Sequence, residues 1–582
     1  MDGKWSLDVL YTGFDEQYKA DVAELDRLIA EYKALVDAPD EGLAESFFEL
    51  SESIHTLVEK LYTYPGLRCA ADTRDSEAMA YTGRLMARLS ELAAPEAAVK
   101  QRIAKLPDLD KQIEASPLLQ QYSYFIGNLV KDSKHLLAPR EERIVAEMDI
   151  SGGDAWSQLQ SYVTSTVLCD YRGEKIGLSA VRNLAYDPDP SVRKDAYEAE
   201  LSAYKQIQDP VAFSLNSIKL QCINISKLRG FESPLSRTLY ENRMKKETLD
   251  ALLSAMRDYM PKFREYMRAK GKALGHENGL PWYDMFAPMG KSDRKFSVSD
   301  SKDVLLDLFG RFDKQLADMM ERAYDEDWID FFPREGKTGG AFCCSINSIN
   351  QSRILTNFDG SFSDICTLAH ELGHAFHNQM LAGHRPLNME YCMPLAETAS
   401  TFNENVLMDK AIVTAADADE KLAFIEGQLC DANQIICDIY SRYLFETAVF
   451  AARPEEFMMA DKLCELMLNA QREAYGDGLD PDALHPYMWV CKSHYYSAGL
   501  SFYNFPYAFG GLFARGLYAK YKTEGDAFIP QYKKLLHATT VMDVEQTAAI
   551  AGIDLTDKAF WAMSLQSIAD EIDEFIALVE DK

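Results

Sequence analysis

The sequence has 582 residues, of which 47% are hydrophobic and 26% are charged. This composition is typical of a soluble globular protein, and the length exceeds what one hydrophobic core supports, so several subdomains are expected. A formal charge of −30 disfavours nucleic acid and anionic membrane surfaces as partners, because both carry negative charge themselves.

The first residues, MDGKWSLDVLYTGFDEQ, lack the basic start and apolar stretch of a signal peptide. No run reaches the roughly 18 apolar residues of a membrane helix. The 11 cysteines are scattered without a CxxC pair, which is typical of a reducing compartment. We therefore expect a cytoplasmic protein that does not contact the membrane.

Apolar residues recur at steps of three and four through most of the chain, as in amphipathic helices. Predicted helices cover residues 17–37, 42–62, 76–104, 193–228, 246–272, 301–324, 418–449, 456–474 and 562–580. Residues 339–358 depart from this pattern, because they are rich in β-branched and small side chains. They predict a hairpin with strands near 341–346 and 352–358. The expected fold class is therefore nearly all-α with one small hairpin.

Proline and aspartate cluster at residues 185–192, and no linker rich in Pro, Gly or Ser divides the chain elsewhere. We place a boundary there. It predicts an N-terminal helical region over 1–190 and a catalytic region over 191–582.

Residues 370–374 read His-Glu-Leu-Gly-His inside a helix predicted over 363–383. Because helical positions four apart share a face, His370 and His374 can present two imidazoles to one ion. Zinc suits such a site, since it takes nitrogen and oxygen ligands, keeps one position open and lowers the pKa of bound water. We predict one Zn²⁺ per chain, with Glu371 as the general base that activates the water.

A carboxylate from a second helix can complete the ligand set. The metzincin alternative is disfavoured, because its third histidine position is occupied by Met380. A helix predicted over 394–412 carries Glu397 and Glu404 seven residues apart, on one face. We predict Glu397 as the third ligand and Glu404 as a carboxylate that orients a ligating histidine.

Two alternatives to Glu397 stay open at this point. Glu390 precedes the helix in a predicted loop. His377 lies seven residues after His370 on a similar face, but its distance to the ion along a straight helix favours a structural or orienting role.

The stretches TLAHELGHAFH and LAETASTFNE resemble the oligoendopeptidase F branch of the thimet oligopeptidase family of zinc peptidases. The segments GGAFC, LTNFDG and SHYYSAGLSFYNFPYAFG resemble that branch as well, so the likeness is strong over 340–512. It implies a nearly all-α, two-lobed fold with a deep central channel. It also implies cytoplasmic endopeptidase activity on short unfolded peptides, and the same ligand and base assignments.

The resemblance further points to His494 and Tyr503 as groups that bind substrate and stabilise the oxyanion. Many relatives have a more compact segment here, whereas this sequence has extra residues between His494 and Phe502. Tyr496, Tyr503 and Tyr507 are therefore all candidates for contact with the substrate, and Tyr503 is the first choice for the oxyanion donor.

The predicted function is zinc-dependent hydrolysis of internal bonds in short oligopeptides. A strand edge at Gly340, Ala341 and Phe342 is expected to pair with the substrate backbone, unless the hairpin is only structural. One rival is an exopeptidase in which Arg353 captures a peptide terminus. The other is a non-enzymatic peptide-binding protein with a relic site, which the intact motif disfavours. The sequence does not indicate an oligomeric state.

Overall fold

The computed structural model describes residues 3–292 and 294–581. Helices dominate these residues, and two small sheets accompany them. The first fifteen helices are α1 (Glu16–Ala34), α2 (Leu43–Ala71), α3 (Ser76–Leu89), α4 (Ala93–Ile103), α5 (Leu109–Ala115), α6 (Pro117–Gln121), α7 (Ser123–Asp132), α8 (Pro139–Asp149), α9 (Gly153–Thr166), α10 (Leu178–Asn183), α11 (Pro190–Leu228), α12 (Pro234–Glu241), α13 (Lys246–Ala273), α14 (Val298–Phe312) and α15 (Lys314–Asp325). The remaining helices are α16 (Phe362–Met380), α17 (Thr398–Val413), α18 (Ala418–Asn433), α19 (Ile439–Ala452), α20 (Ala460–Tyr475), α21 (Met488–Cys491), α22 (Phe505–Glu524), α23 (Ile529–Ala538), α24 (Val544–Ala549) and α25 (Lys558–Glu580).

The nearly all-α prediction is confirmed, but three predicted helices are interrupted. The helix predicted over 418–449 is divided by a π-helical turn at Gln434–Asp438. The helix predicted over 301–324 is divided at Asp313, whose carboxylate accepts from Leu316 N at 2.9 Å and caps α15. The helix predicted over 76–104 is divided by a 3-10 turn at Ser90–Leu92. The apolar periodicity alone did not predict any of these three interruptions.

The predicted hairpin is confirmed in a three-stranded sheet. Its strands are β4 (Phe342–Ile346) and β5 (Gln351–Leu355), which pair antiparallel with Phe342 opposite Leu355. A third strand, β3 (Ile329–Asp330), runs parallel to β5 on the other side. Within the described residues, β4 therefore lies at an edge of this sheet.

A second hairpin was not predicted. Strands β1 (Leu168–Tyr171) and β2 (Glu174–Gly177) pair antiparallel. Arg172 and Gly173 form the connection with φ of 50° and 84°, as a two-residue turn between twisted strands requires. Four-residue strands that are mostly exposed leave little alternation to detect in the sequence.

The chain folds into two compact units. The first comprises Met1–His135, Arg294–Leu407 and Glu524–Ala551, and the second comprises Leu136–Asp293, Met408–Thr523 and Gly552–Lys582. The predicted boundary at residue 190 lies inside the second unit and stays a prediction about the sequence.

In the first unit, α1 and α2 enclose a core that includes Leu25, Phe48 and Leu61, and Ile346 at the end of β4 belongs to it. The helix α16, which carries the His-Glu-Leu-Gly-His motif, packs on β4, β5 and α23. In the second unit, α13 packs along α25, and α11 packs against α9. Each unit therefore has its own packed interior.

None of the helices in the described residues combines the length and apolar content needed to cross a membrane. No disulfide joins the 11 cysteines, all of which lie within 3–292 and 294–581. The cytoplasmic location stays a prediction.

Candidate metal centre

The metal-motif helix begins where its capping residues require. Ser361 accepts from Asp364 N at 3.2 Å, and the Asp364 carboxylate accepts from Ser361 N at 2.9 Å. This reciprocal capping box starts α16 at Phe362, one residue before the predicted start. One helical turn apart on the same face, His370 Nε2 and His374 Nε2 lie 3.2 Å from each other.

A glycine inside the motif allows a second helix to approach. A Cβ at Gly373 would lie 2.6 Å from Ser400 Cα and 2.7 Å from the carbonyl oxygen of Ala399, distances that real Cβ atoms do not show. Asn403 crosses the same contact and donates from Nδ2 to the carbonyl of Ala369 at 3.0 Å. Gly373 is therefore the residue that lets α17 pack directly on α16.

This packing brings the predicted third ligand to the histidine pair. Glu397 immediately precedes α17, and its Oε2 lies 3.4 Å from His370 Nε2 and 3.3 Å from His374 Nε2. One nitrogen from each histidine and one oxygen from Glu397 all lie within 4.8 Å of one another. Among the described residues, His370, His374 and Glu397 form the group of His, Cys, Asp and Glu side chains whose ligand atoms lie this close together.

Two further side chains hold the cluster in place. Glu404 Oε1 lies 2.6 Å from His370 Nδ1, so that the other ring nitrogen of His370 faces Glu397. Ser400 Oγ donates to Glu397 Oε2 at 2.7 Å. Glu404 thus lies where a carboxylate that orients a ligating histidine is expected.

The electrostatics of the cluster favour a cation. Burial lowers the pKa of His370, but the hydrogen bond and charge of Glu404 and the charge of Glu397 outweigh it and raise that pKa to about 9. Burial raises the pKa of Glu397, but the hydrogen bond and charge of His374 dominate and lower it to about 2. Surroundings that stabilise positive charge here also stabilise a divalent ion. Two imidazole nitrogens and a carboxylate oxygen are a donor set that zinc takes in hydrolytic sites.

Glu371 lies beside the cluster without belonging to it. It is only 6% exposed, and burial raises the pKa of its carboxyl, opposed by the charges of His370 and His374. A carboxylate with a raised pKa is a stronger proton acceptor, as a general base requires.

His377, which the sequence offered as an alternative ligand, contacts other residues and not the cluster. It is fully buried, its Nε2 lies 2.9 Å from Thr539 Oγ1, and its ring stacks on Tyr391 at 4.4 Å between centroids. Burial lowers its pKa to about 3. These contacts agree with the structural role expected for His377. The other alternative, Glu390, lies outside the cluster and lines a cavity of about 310 Å³.

Arg353 is not placed to capture a peptide terminus. Its side chain is 1% exposed and donates to the carbonyl oxygens of Ser6 at 2.7 Å and Ser352 at 2.8 Å. Its guanidinium is therefore occupied inside the first unit.

The predicted substrate strand belongs to the same unit as the predicted metal ligands. Phe342 begins the edge strand β4, and Gly340 and Ala341 lead into it. Gly340 has a φ of 76° and its carbonyl accepts from Asn357 Nδ2 at 2.8 Å. The metal-motif helix packs on β4, so the strand that carries this edge is in direct contact with the helix that carries His370 and His374.

The predicted substrate-contacting aromatic residues lie in the second unit. His494 is 4.7 Å from Tyr503 and 5.9 Å from Tyr507 between ring centroids, and the two tyrosines are 5.4 Å apart. Tyr496 is buried instead, and its hydroxyl donates to the carbonyl of Trp489 at 2.8 Å. The structure therefore groups Tyr503 and Tyr507 with His494, whereas Tyr496 has an internal partner.

Sequence reasoning did not anticipate Gly373 or Asn403. A glycine within a strongly periodic helix is a signal of close packing, and Gly373 carried that signal. Asn403 had none, because its role depends on the neighbouring helix.

The profile of Peptidase family M3 matches residues 183–567, and the profile of Oligopeptidase F matches residues 105–167. The chain belongs to peptidase family M3. It is therefore a metallopeptidase, and the predicted family is confirmed. The second profile indicates that its substrates are oligopeptides.

Curated relatives of this M3 peptidase match it nearly end to end. Group B oligopeptidase PepB of Streptococcus agalactiae serotype III (strain NEM316) is 24% identical over 594 residues, covering 99% of this chain and 97% of the relative. The oligoendopeptidase F homolog of Lactococcus lactis subsp. lactis (strain IL1403) is 25% identical over 602 residues, with the same coverage.

Solved structures share the fold. A structure from Chlamydophila abortus has a TM-score of 0.86 at 21% identity and covers 99% of this chain and 98% of its own. The crystal structure of oligoendopeptidase-F from Enterococcus faecium has a TM-score of 0.71 at 20% identity, covering 98% and 99%. The nearly all-α fold is thus one that solved structures already display.

Proposed function

We propose that this M3 peptidase is a zinc-dependent endopeptidase that cleaves internal bonds of short, unfolded oligopeptides. The observation that carries the proposal is the convergence of His370, His374 and Glu397, with Glu371 buried beside them. When bound there, one Zn²⁺ polarises the scissile carbonyl and lowers the pKa of a water.

The protein's own groups then manage the protons. Glu371 accepts a proton from the attacking water and delivers it to the leaving amine. Glu404 holds His370 in the tautomer that keeps the proton on Nδ1, since that nitrogen lies 2.6 Å from its carboxylate. The raised pKa of Glu371 favours its role as proton acceptor and donor in turn.

Extended substrate backbone pairs with the edge of β4 next to Gly340, Ala341 and Phe342. Binding through main-chain hydrogen bonds suits many sequences and does not need a peptide terminus. Endopeptidase action is favoured over exopeptidase action because Arg353 is occupied internally. The relative named oligoendopeptidase F homolog supports the same assignment.

A second hydrogen-bond donor is needed to stabilise the oxyanion, and we assign this role to Tyr503. We assign His494 to binding of the substrate backbone. The contact between their rings, 4.7 Å between centroids, supports a joint role. Tyr507 lies against both rings and is the alternative donor.

The proposal is tested by mass spectrometry of the products from a mixed peptide library, with and without a chelator. We expect internal cuts that stop with the chelator and resume when Zn²⁺ is restored. Terminal trimming alone would contradict endopeptidase action, and cutting that the chelator leaves unchanged would contradict metal dependence.

The role of Glu371 is tested by Glu371→Gln, which keeps the shape of the side chain but not its basicity. This variant is expected to retain zinc, and its kcat is expected to fall by a factor of about 10²–10⁴. Near-normal turnover would contradict the assignment of Glu371 as the base.

A further inference from the structure

A buried ion pair in the second unit lies outside the chemistry described so far. Lys219 on α11 and Glu446 on α19 are 1% and 2% exposed in their side chains, and Lys219 Nζ lies 2.6 Å from Glu446 Oε1. Taking both charges out of water is costly, and a pair of apolar residues in the same place is often equally stable. Stability alone therefore does not explain why these two charged side chains are buried together.

Glu446 also binds the segment that carries Tyr503. Its Oε1 accepts from Phe502 N at 3.1 Å, and its Oε2 accepts from Asn504 Nδ2 at 3.0 Å. Both carboxylate oxygens are thus used, and their partners are the two neighbours of Tyr503 in sequence. A single carboxylate therefore binds the backbone amide of the residue before that tyrosine and the side-chain amide of the residue after it.

The segment needs such an anchor because its backbone is strained. Phe502 has a φ of 52°, a left-handed conformation that non-glycine residues rarely adopt. Asn504 N donates to the carbonyl of Phe502 at 2.7 Å, which closes a tight turn around Tyr503. Strained backbone of this kind persists only where its surroundings hold it in place.

Further contacts fix the start of the turn. Thr238 Oγ1 on α12 donates to the carbonyl of Ser501 at 2.9 Å. The Phe502 ring stacks on Phe450 at 5.3 Å, and the ammonium of Lys219 lies 4.9 Å from the centroid of the Phe450 ring. Lys219 therefore contacts both the carboxylate and the ring that hold Phe502.

We propose that the Lys219–Glu446 pair is a positioning device for Tyr503. Glu446 is the positioning residue, because it binds Phe502 and Asn504, and Lys219 holds the Glu446 carboxylate in place. The inference rests on the proposed role of Tyr503 in catalysis. It predicts that the pair influences turnover only through Tyr503.

The test replaces both charges at once, so that neither is left buried alone. Lys219→Met with Glu446→Leu removes the anchor, and Lys270→Met with Glu426→Leu is the matched control. The Lys270–Glu426 pair is similarly buried in the same unit, but its hydrogen bonds reach Met285 and Tyr266 instead of the Tyr503 turn. Each double variant is made with and without Tyr503→Phe.

The Lys219–Glu446 variant is expected to lose about 100-fold in kcat, because a donor displaced by about 1 Å loses about that much, while KM stays nearly unchanged. In the Tyr503→Phe background the same double change is expected to have little further effect. The control pair is expected to change thermal stability while leaving kcat near wild type. Zinc content is expected to stay at the wild-type level in all soluble variants.

A milder variant, Lys219→Met with Glu446→Gln, keeps one oxygen acceptor for the turn if the first variant does not fold. It is expected to lose less kcat, again only when Tyr503 is present. A loss that persists in full in the Tyr503→Phe background would overturn the positioning role, as would normal kcat in the Leu variant. If Tyr503→Phe is itself silent, the proposed role of Tyr503 fails and this inference fails with it.

Discussion

At the scale of single residues, the candidate site depends on how each side chain is oriented. His370 has its two nitrogens assigned to different tasks, since Nδ1 lies 2.6 Å from Glu404 and Nε2 faces Glu397. His377 comes from the same helix but has a different environment, so it does not join the cluster. Residue type and spacing predicted His370 and His374, because helical geometry determines which positions share a face. Glu397 was predicted as a carboxylate that follows in the sequence and completes the ligand set. The buried partners of His377 could not be predicted, because they come from distant parts of the chain.

The structural role of His377 is tested by His377→Leu. The variant loses the hydrogen bond to Thr539 and the stacking on Tyr391, so we expect it to be destabilised by about 0.5–1.5 kcal/mol. Its zinc content is expected to match wild type. Elemental analysis and a denaturant titration check both values, and loss of zinc from a folded His377→Leu protein would make His377 a ligand.

At the scale of elements, the site is a contact between α16 and α17. Periodicity predicted both helices, and β-branched composition predicted the β4–β5 hairpin. The breaks at Asp313 and Ser90 were not predicted, because capping by one residue competes with an uninterrupted apolar pattern. The sequence also did not show how closely the two helices pack, since that distance is set by the backbone at Gly373.

This helix contact is tested by Gly373→Ala. The new methyl group would overlap Ser400 Cα and the carbonyl of Ala399, so the helices must separate. We expect a loss of stability of about 1–3 kcal/mol or more, and weaker zinc binding, because Glu397 moves away from the histidines. Thermal melts and zinc affinity provide the measurements.

Gly66 supplies a matched control in the same unit. It lies within α2, and a Cβ there would meet nothing within 4 Å. Gly66→Ala is therefore expected to keep or raise stability by up to about 1 kcal/mol and to leave zinc binding unchanged. Equal effects of the two substitutions would contradict the close-contact role of Gly373.

At the scale of the whole molecule, the chain contributes three separate stretches to each unit. The predicted metal ligands lie in the first unit, whereas His494 and Tyr503 lie in the second. Sequence patterns are local, so they predicted the elements but not this discontinuous grouping. The family resemblance extended the prediction further, and the family matches over 183–567 and 105–167 agree with it.

The choice of substrate is a prediction at this scale. Pairing with the edge of β4 requires extended backbone, and each bound residue spans about 3.3 Å of strand. Peptides of roughly 5–20 residues are therefore expected to be cut internally. A stable folded domain that contains the same cleavable segment is expected to stay intact until it is denatured, as gel electrophoresis would show. Rapid digestion of the native domain would contradict binding as an extended strand.

The proposed zinc site depends most on Glu397 as the third ligand beside His370 and His374. Its most direct test is the zinc content per chain of the purified wild-type, Glu397→Ala and Glu390→Ala proteins. We expect one zinc per chain in wild type and in Glu390→Ala, and loss of zinc together with activity in Glu397→Ala. Full zinc occupancy in Glu397→Ala, or its loss in Glu390→Ala, would contradict the assignment.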